Sequence, residues 1–283
     1  MTMERETRVA YGPVPHVLLD DPLGEMSWHL LGDEFLLRAE GDHYFHYRRG
    51  DGITVDRGEN ADTTEESLWL NGSIYSAIAS LNGLLPIHAS AVAFDSGVFA
   101  FTGPGGAGKS TLVAALGARK LPMFCDDTLV LDLSDPDRII CLPGHKRLKL
   151  RPDAIALTGA RCEEKVSHTV DKFYASPAGG DVADALPLAE LIFLEEGPDI
   201  QIEPIAGSER FVRIQDDHQT ASIFAGARRF NRAEHFAHVS RLARQIAMAR
   251  FVRPRDHIQF AAGVASVADY VTKGGGEAIA QEA

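Results

Sequence analysis

Eight consecutive residues, Gly103-Pro-Gly-Gly-Ala-Gly-Lys109-Ser110, fit the pattern G-x-x-x-x-G-K-[ST]. Each residue type in it has a chemical use. Gly105, Gly106 and Gly108 allow positive φ and close approach of the backbone, so successive N–H groups can surround a polyphosphate. Lys109 can neutralise β- and γ-phosphate charge, and the Ser110 hydroxyl can bind Mg²⁺. Gly103, Ala107 and Thr111 complete the stretch of backbone on which phosphates would rest. The pattern predicts a bound nucleoside triphosphate with its metal, and its accidental alternative is a glycine-rich turn.

Two further features carry chemistry. Asp126-Asp127 follows an apolar run, seventeen residues beyond Lys109. At the carboxyl end of a strand beside phosphates, one carboxylate can hold Mg²⁺ and the other can accept a proton from an attacking hydroxyl. The competing reading is an acidic turn that caps a hairpin. His88 lies in the strand preceding the one that feeds the glycine-rich stretch. It is either a core histidine bonded to backbone or a group that approaches the phosphates and tunes Asp126.

The elements around these residues suit them. Gly97–Thr102 reads as a buried strand and Thr111–Ala118 as a helix, so phosphates would meet free amides at the positive end of a helix dipole. Residues 1–65 look β-rich, with hairpins over 34–39, 42–48 and 52–56. Apolar residues at helical spacing predict a helix over 65–82. From 84 onward, strands are expected at 87–94, 122–125, 129–132, 138–142, 146–150, 190–195, 200–205 and 250–253. Helices are expected at 152–158, 207–215, 217–226, 232–249 and 264–271. The pattern is weak over 160–186, which reads as a functional or mobile loop. The domain reading is a β-rich region over 1–83, a nucleotide-binding α/β domain over 84–273 and a frayed tail over 274–283.

Bulk composition narrows the function. The chain has 283 residues, 45% hydrophobic and 24% charged, which is ordinary for a globular protein. A net charge of −12 argues against non-specific nucleic-acid or anionic-membrane binding. Cys125, Cys141 and Cys162 form no C-x-x-C pair, which predicts neither a disulfide framework nor structural zinc. The charged start and the absence of a long apolar stretch make a cytoplasmic location the expectation.

Taken in order, Leu85-Pro-Ile-His88-Ala-Ser-Ala-Val, Gly103–Ser110 and Phe124-Cys-Asp126-Asp127 resemble the HPr serine kinase family. The resemblance implies a P-loop nucleotide-binding core of the HPr kinase and phosphoenolpyruvate carboxykinase type. It implies ATP and Mg²⁺ as cofactors, Asp126 as the base that deprotonates a serine, Asp127 as a metal ligand and His88 as an aid to the base. It is also compatible with a homo-oligomer. The family's second glycine-rich signature, with its metal-binding glutamate, is not found here. In its place stands Cys141-Leu-Pro-Gly-His-Lys-Arg-Leu-Lys-Leu-Arg-Pro-Asp153. With Arg250-Phe-Val-Arg-Pro-Arg-Asp256, that segment looks like a smaller branch found beside genes for peptide natural products. Some members of this branch phosphorylate the C-terminal serine of lasso-peptide precursors. The implied activity is transfer of phosphate from ATP to a serine of a peptide or small protein. The alternatives are HPr itself as acceptor, a small-metabolite kinase and a nucleotide-binding sensor without turnover.

Minor candidates complete the reading. Lys172 either reaches a transferred phosphoryl group or is simply solvated. Within the cluster Lys146, Arg147, Lys149 and Arg151, Lys146 or Arg147 could flank a nucleotide or a carboxylate, unless the cluster is a protected strand edge.

Overall fold

The computed structural model describes residues 3–18, 28–40, 42–59, 61, 63–95, 97–168, 170–215, 226–227 and 232–275. Most of the helix expected over 217–226 and most of the tail over 274–283 lie outside them. The chain divides into two compact units, Met1–Leu84 with Thr220–His235, and Leu85–Gln219 with Phe236–Ala283.

The first unit is built on five strands, β1 (Val9–Tyr11), β2 (Trp28–Leu31), β3 (Glu34–Ala39), β4 (His43–Arg48) and β5 (Gly52–Arg57), in the order β1-β5-β4-β3-β2. The hairpins β2–β3–β4–β5 are antiparallel, while β1 joins β5 in parallel. Gly52 has φ of 89°, and a Cβ there would lie 2.6 Å from the Arg8 carbonyl oxygen, so the β4–β5 turn requires glycine. The predicted helix over 65–82 forms as α1 (Thr63–Trp69) and α2 (Tyr75–Leu81), joined by a π-helical turn at Leu70–Ile74. Buried Glu66 ties α1 to the sheet. Its carboxylate accepts from Arg57 at 2.8 Å and from the Tyr11 hydroxyl at 2.8 Å, with His43 Nε2 at 3.2 Å.

The second unit contains a mixed sheet of nine strands. In chain order these are β6 (Leu85–Ile87), β7 (Ala89–Phe94), β8 (Gly97–Thr102), β9 (Met123–Cys125), β10 (Leu129–Asp132), β11 (Ile140–Leu142), β15 (Leu186–Glu196), β16 (Gln201–Pro204) and β17 (Ala247–Arg253). Strands β12 (Leu148–Leu150), β13 (Arg161–Lys165) and β14 (Phe173–Ser176) form a separate antiparallel sheet in the order β12-β14-β13. The helices are α3 (Lys109–Gly117), α4 (Pro152–Thr158), α5 (Glu209–Gln215), α6 (Arg232–Gln245) and α7 (His257–Thr272).

Period-two alternation sends successive side chains of the central strands to opposite faces. Phe99, Phe101, Ile192 and Leu194 pack with Leu112 and Leu116 of α3 and Val264 and Val267 of α7. Val98, Ala100, Leu191 and Phe193 pack on the other side with Leu242 and Ile246. Helices therefore cover both faces, the arrangement of an α/β protein. Strands β8, β15 and β17 run parallel. Their carboxyl ends emerge at one edge, and the segments that follow them are brought together there.

Several expectations need correction. The stretch 160–186 is not a loop, because β13 and β14 lie within it. Strand β13, Arg-Cys-Glu-Glu-Lys, is mostly exposed and shows no apolar alternation for a sequence reading to detect. The helix expected over 232–249 stops at Gln245, and β17 begins at Ala247. Its first residues, Ala-Met-Ala, have high helix propensity but pair with β15 in the buried sheet, so tertiary context overrides propensity. The last helix begins at His257, seven residues earlier than expected, with Asp256 capping the Gln259 N–H.

Candidate active site

The glycine-rich segment leaves the carboxyl end of β8 and opens α3. Gly103 has φ of 148°, and Gly106 and Gly108 have φ of 80° and 90°. All three are conformations that side-chain-bearing residues rarely adopt. Gly105 lacks this requirement, but open space surrounds the position of its missing Cβ, as at Gly106. Gly108 occupies the N-cap of α3 without a side-chain cap, so the free amides of the first turn face the cleft without a side-chain acceptor from the cap. Lys109 is buried and folds back, its Nζ donating to the carbonyls of Gly103 at 2.8 Å and Pro104 at 3.2 Å. Burial pushes its pKa down to about 8, against the opposing pull of Asp126 and Asp127.

Two arginines missed as site residues by sequence reasoning hold this loop. At the end of β17, Arg253 donates to the Ala107 carbonyl and, at 3.4 Å, to that of Glu195. Arg255 donates to the Gly106 carbonyl at 2.8 Å. The Ala107 N–H donates to the Pro104 carbonyl at 3.0 Å, and with these carbonyls engaged the loop's other N–H groups are left for an anion. The charge run at 250–256 was the available signal, but nothing in one dimension connects it to a loop about 150 residues earlier.

The two aspartates occupy different environments. Asp126 is 1% exposed. Its Oδ1 accepts from Ser90 Oγ at 2.6 Å and its Oδ2 from the Lys149 N–H at 3.1 Å. Asp127 lines the cleft, with its side chain 33% exposed. Its φ is 70°, and the Thr128 N–H closes a three-residue turn by donating to the Asp126 carbonyl at 2.8 Å. This is the strained, positive-φ form of the γ-turn, and such strain concentrates at functional sites. Lys149 Nζ donates to Asp127 Oδ2 at 2.8 Å. Burial alone would raise the Asp127 pKa and lower that of Lys149, but their pairing outweighs it, so Asp127 falls below and Lys149 rises above its ordinary value.

His88 also lines the cleft, and its Nδ1 lies 2.8 Å from the Asp127 carbonyl oxygen and 3.6 Å from Asp127 Oδ1. A carbonyl only accepts, so this contact assigns the proton to Nδ1 and leaves Nε2 as an acceptor. Burial and Lys109 hold His88 below its usual pKa despite Asp127. The residues His88, Lys109, Ser110, Thr111 and Asp127 thus share one cleft of about 530 Å³, with Gly105–Gly108 in its wall. Gly103 stands behind it as an acceptor for Lys109, and Asp126 lies beneath it. Within the 146–151 cluster, Lys149 and Arg151 reach the cleft. Lys146 instead donates to the backbone of Phe124 and Val182, and Arg147 pairs with Glu163 at 2.7 Å.

Ser110 and Asp127 supply hard oxygen donors that fit Mg²⁺, which is commonly held by one or two protein groups together with phosphate and water. Among the described residues, no group of three or more His, Cys, Asp or Glu forms a self-sufficient metal cage. No family model and no curated protein matches the sequence. Among solved structures, the HPr(Ser) kinase/phosphatase from Coxiella burnetii is similar at a TM-score of 0.34 and 14% identity, over 66% of this chain and 87% of that chain. A likeness that distant decides no residue's role.

Proposed function

We propose that this protein transfers the γ-phosphoryl group of ATP to a hydroxyl group, in the presence of Mg²⁺, and that the acceptor is a serine of a peptide or small protein. The observation that carries the reading is the shared cleft. It sets a lysine, a serine and free helix amides opposite a strained aspartate and a neutral histidine. In this reading the loop amides and Lys109 hold the β- and γ-phosphates, and Ser110 is the protein's oxygen donor for Mg²⁺, with phosphate and water completing the shell. The metal would neutralise charge on the phosphates.

The acceptor oxygen forms a bond to the γ-phosphorus as the bond to the β–γ bridging oxygen breaks. That electron pair leaves on ADP. The roles expected for the two aspartates change. Asp127 faces the cleft, so we assign it to orient the acceptor hydroxyl and receive its proton. A loose transition state asks little basicity of that carboxylate. Asp126, with both oxygens engaged, holds Ser90 and the Lys149 backbone in place. His88 fixes the Asp127 turn through its carbonyl.

A serine acceptor rests on the resemblance of residues 85–127 to HPr kinases. A lasso-type precursor peptide rests on the resemblance of 141–153 and 250–256 to the smaller branch. The decisive experiment is mass spectrometry of HPr, a lasso-type precursor peptide and a set of small alcohols after incubation with ATP and Mg²⁺. A gain of about 80 Da on a peptide serine, lost in Asp127→Asn, is the expected result. Transfer to small alcohols alone would reassign the acceptor. Nucleotide binding without any transfer would overturn the kinase reading in favour of a sensor.

A further inference from the structure

Six lysine and arginine side chains line the cleft, and four of them are engaged. Lys109 donates to loop carbonyls, Lys149 pairs with Asp127, and Arg253 and Arg255 hold the loop. Arg151 and Lys172 have no side-chain hydrogen bond or ion pair among the described residues. Arg151 is exposed at the rim, whereas Lys172 is half-buried. A half-buried ammonium with no direct hydrogen bond or ion pair keeps its N–H donors available to an anion in the cleft.

The backbone holds Lys172 in position. It stands in the turn between β13 and β14, where its N–H donates to the Val170 carbonyl at 2.9 Å and its carbonyl accepts from the Val166 N–H at 2.9 Å. Val170 N–H donates to Ser167 Oγ at 3.1 Å, and Val166 and Ser167 are 1% and 2% exposed. The lysine is therefore presented by an anchored hairpin. It lines the same cleft as Lys109 and Asp127, and its charge is within Coulombic range of both.

We infer that Lys172 is a catalytic residue that donates a hydrogen bond to a non-bridging oxygen of the phosphoryl group in flight. The inference rests on the kinase reading above. As the acceptor oxygen bonds to phosphorus and the bridging bond breaks toward ADP, the acceptor's proton passes to Asp127. Lys172 keeps its own protons and stabilises charge on the equatorial oxygens. A preorganised donor of this kind acts chiefly in the transition state.

The test compares Lys172→Met and Lys172→Arg with wild type in steady-state kinetics and in calorimetric binding of Mg²⁺–ADP with and without aluminium fluoride, which mimics the planar phosphoryl group. Lys172→Met is expected to lower kcat by about 10²-fold with KM for ATP nearly unchanged, as loss of one transition-state donor does. It should weaken binding of the fluoride complex by a similar factor and leave ADP alone unaffected, and Lys172→Arg should recover part of both losses. Equal weakening of both ligands, or no change in either, overturns the inference. Thermal melts show whether each variant is folded. If Lys172→Met is not, Lys172→Gln takes its place under the same criteria. A wild type that binds no nucleotide, or binds it and transfers nothing, would instead sink the kinase reading itself.

Discussion

Asp126 and Asp127 are adjacent in sequence, yet one is a structural acceptor and the other faces the cleft. Replacing them should separate the two roles. Asp127→Asn should lower kcat by about 10²–10³-fold, since a positioned proton acceptor contributes that order, and should also lower stability, because buried Lys149 loses its counter-charge. Asp126→Asn turns an amide toward Ser90 and the Lys149 N–H and should cost about 1–3 kcal/mol in urea unfolding. If Asp126→Asn were as stable as wild type, its buried hydrogen bonds would not have the importance given them here. Lys109 makes a pH-dependent prediction. Its pKa of about 8 means that the free protein holds a neutral amine above that pH. Binding of an anionic nucleotide then draws the proton back, so ADP affinity should fall as pH rises through about 8. Calorimetry across that range should show the slope in wild type and a flat profile in Lys109→Met.

At the scale of elements, the loop depends on strands remote in sequence. Arg253 ends β17, and β17 lies beside β15, which pairs in turn with β8, so its guanidinium arrives at Ala107 through sheet register. Arg253→Met should raise the ADP dissociation constant about tenfold, which corresponds to the ~1.4 kcal/mol within reach of one charge-assisted hydrogen bond. An unchanged affinity would mean that the loop keeps its form without this support. The glycine-rich loop and its flanking strand and helix were legible in sequence because the pattern is local. The β13–β14 hairpin that carries Lys172 was not, since a mostly exposed, charged strand carries no periodic signal. The boundary between α6 and β17 was hidden for a different reason, since Ala-Met-Ala favours helix locally and becomes strand only against β15.

At the scale of the whole molecule, charge is unevenly distributed. The chain carries −12 overall. The cleft wall nevertheless has six lysines and arginines against the three carboxylates of Asp127, Asp153 and Asp256. Nucleotide affinity should therefore weaken as salt rises from about 50 to 500 mM, as attraction between a polyanion and a positive site is screened. Titrations at several salt concentrations check this, and stronger binding in high salt would contradict it. No helix among the described residues is long and apolar enough to cross a membrane.

The residue types of Gly103–Ser110, together with the apolar runs on either side, were enough to predict a strand-to-helix turn, and with Asp126-Asp127 and His88 they suggested phosphate chemistry there. That much is local, because positive φ, a lysine's charge and a helix's free amides are properties of a short segment. Which aspartate faces the cleft was decided only in three dimensions, by a γ-turn at Asp127 while Ser90 and Lys149 engage Asp126. The partners of the loop, Arg253 and Arg255, and the placement of Lys172 also came only from tertiary structure. Sheet register and hairpin packing bring together charges that lie far apart in sequence, and no spacing rule in one dimension contains that information.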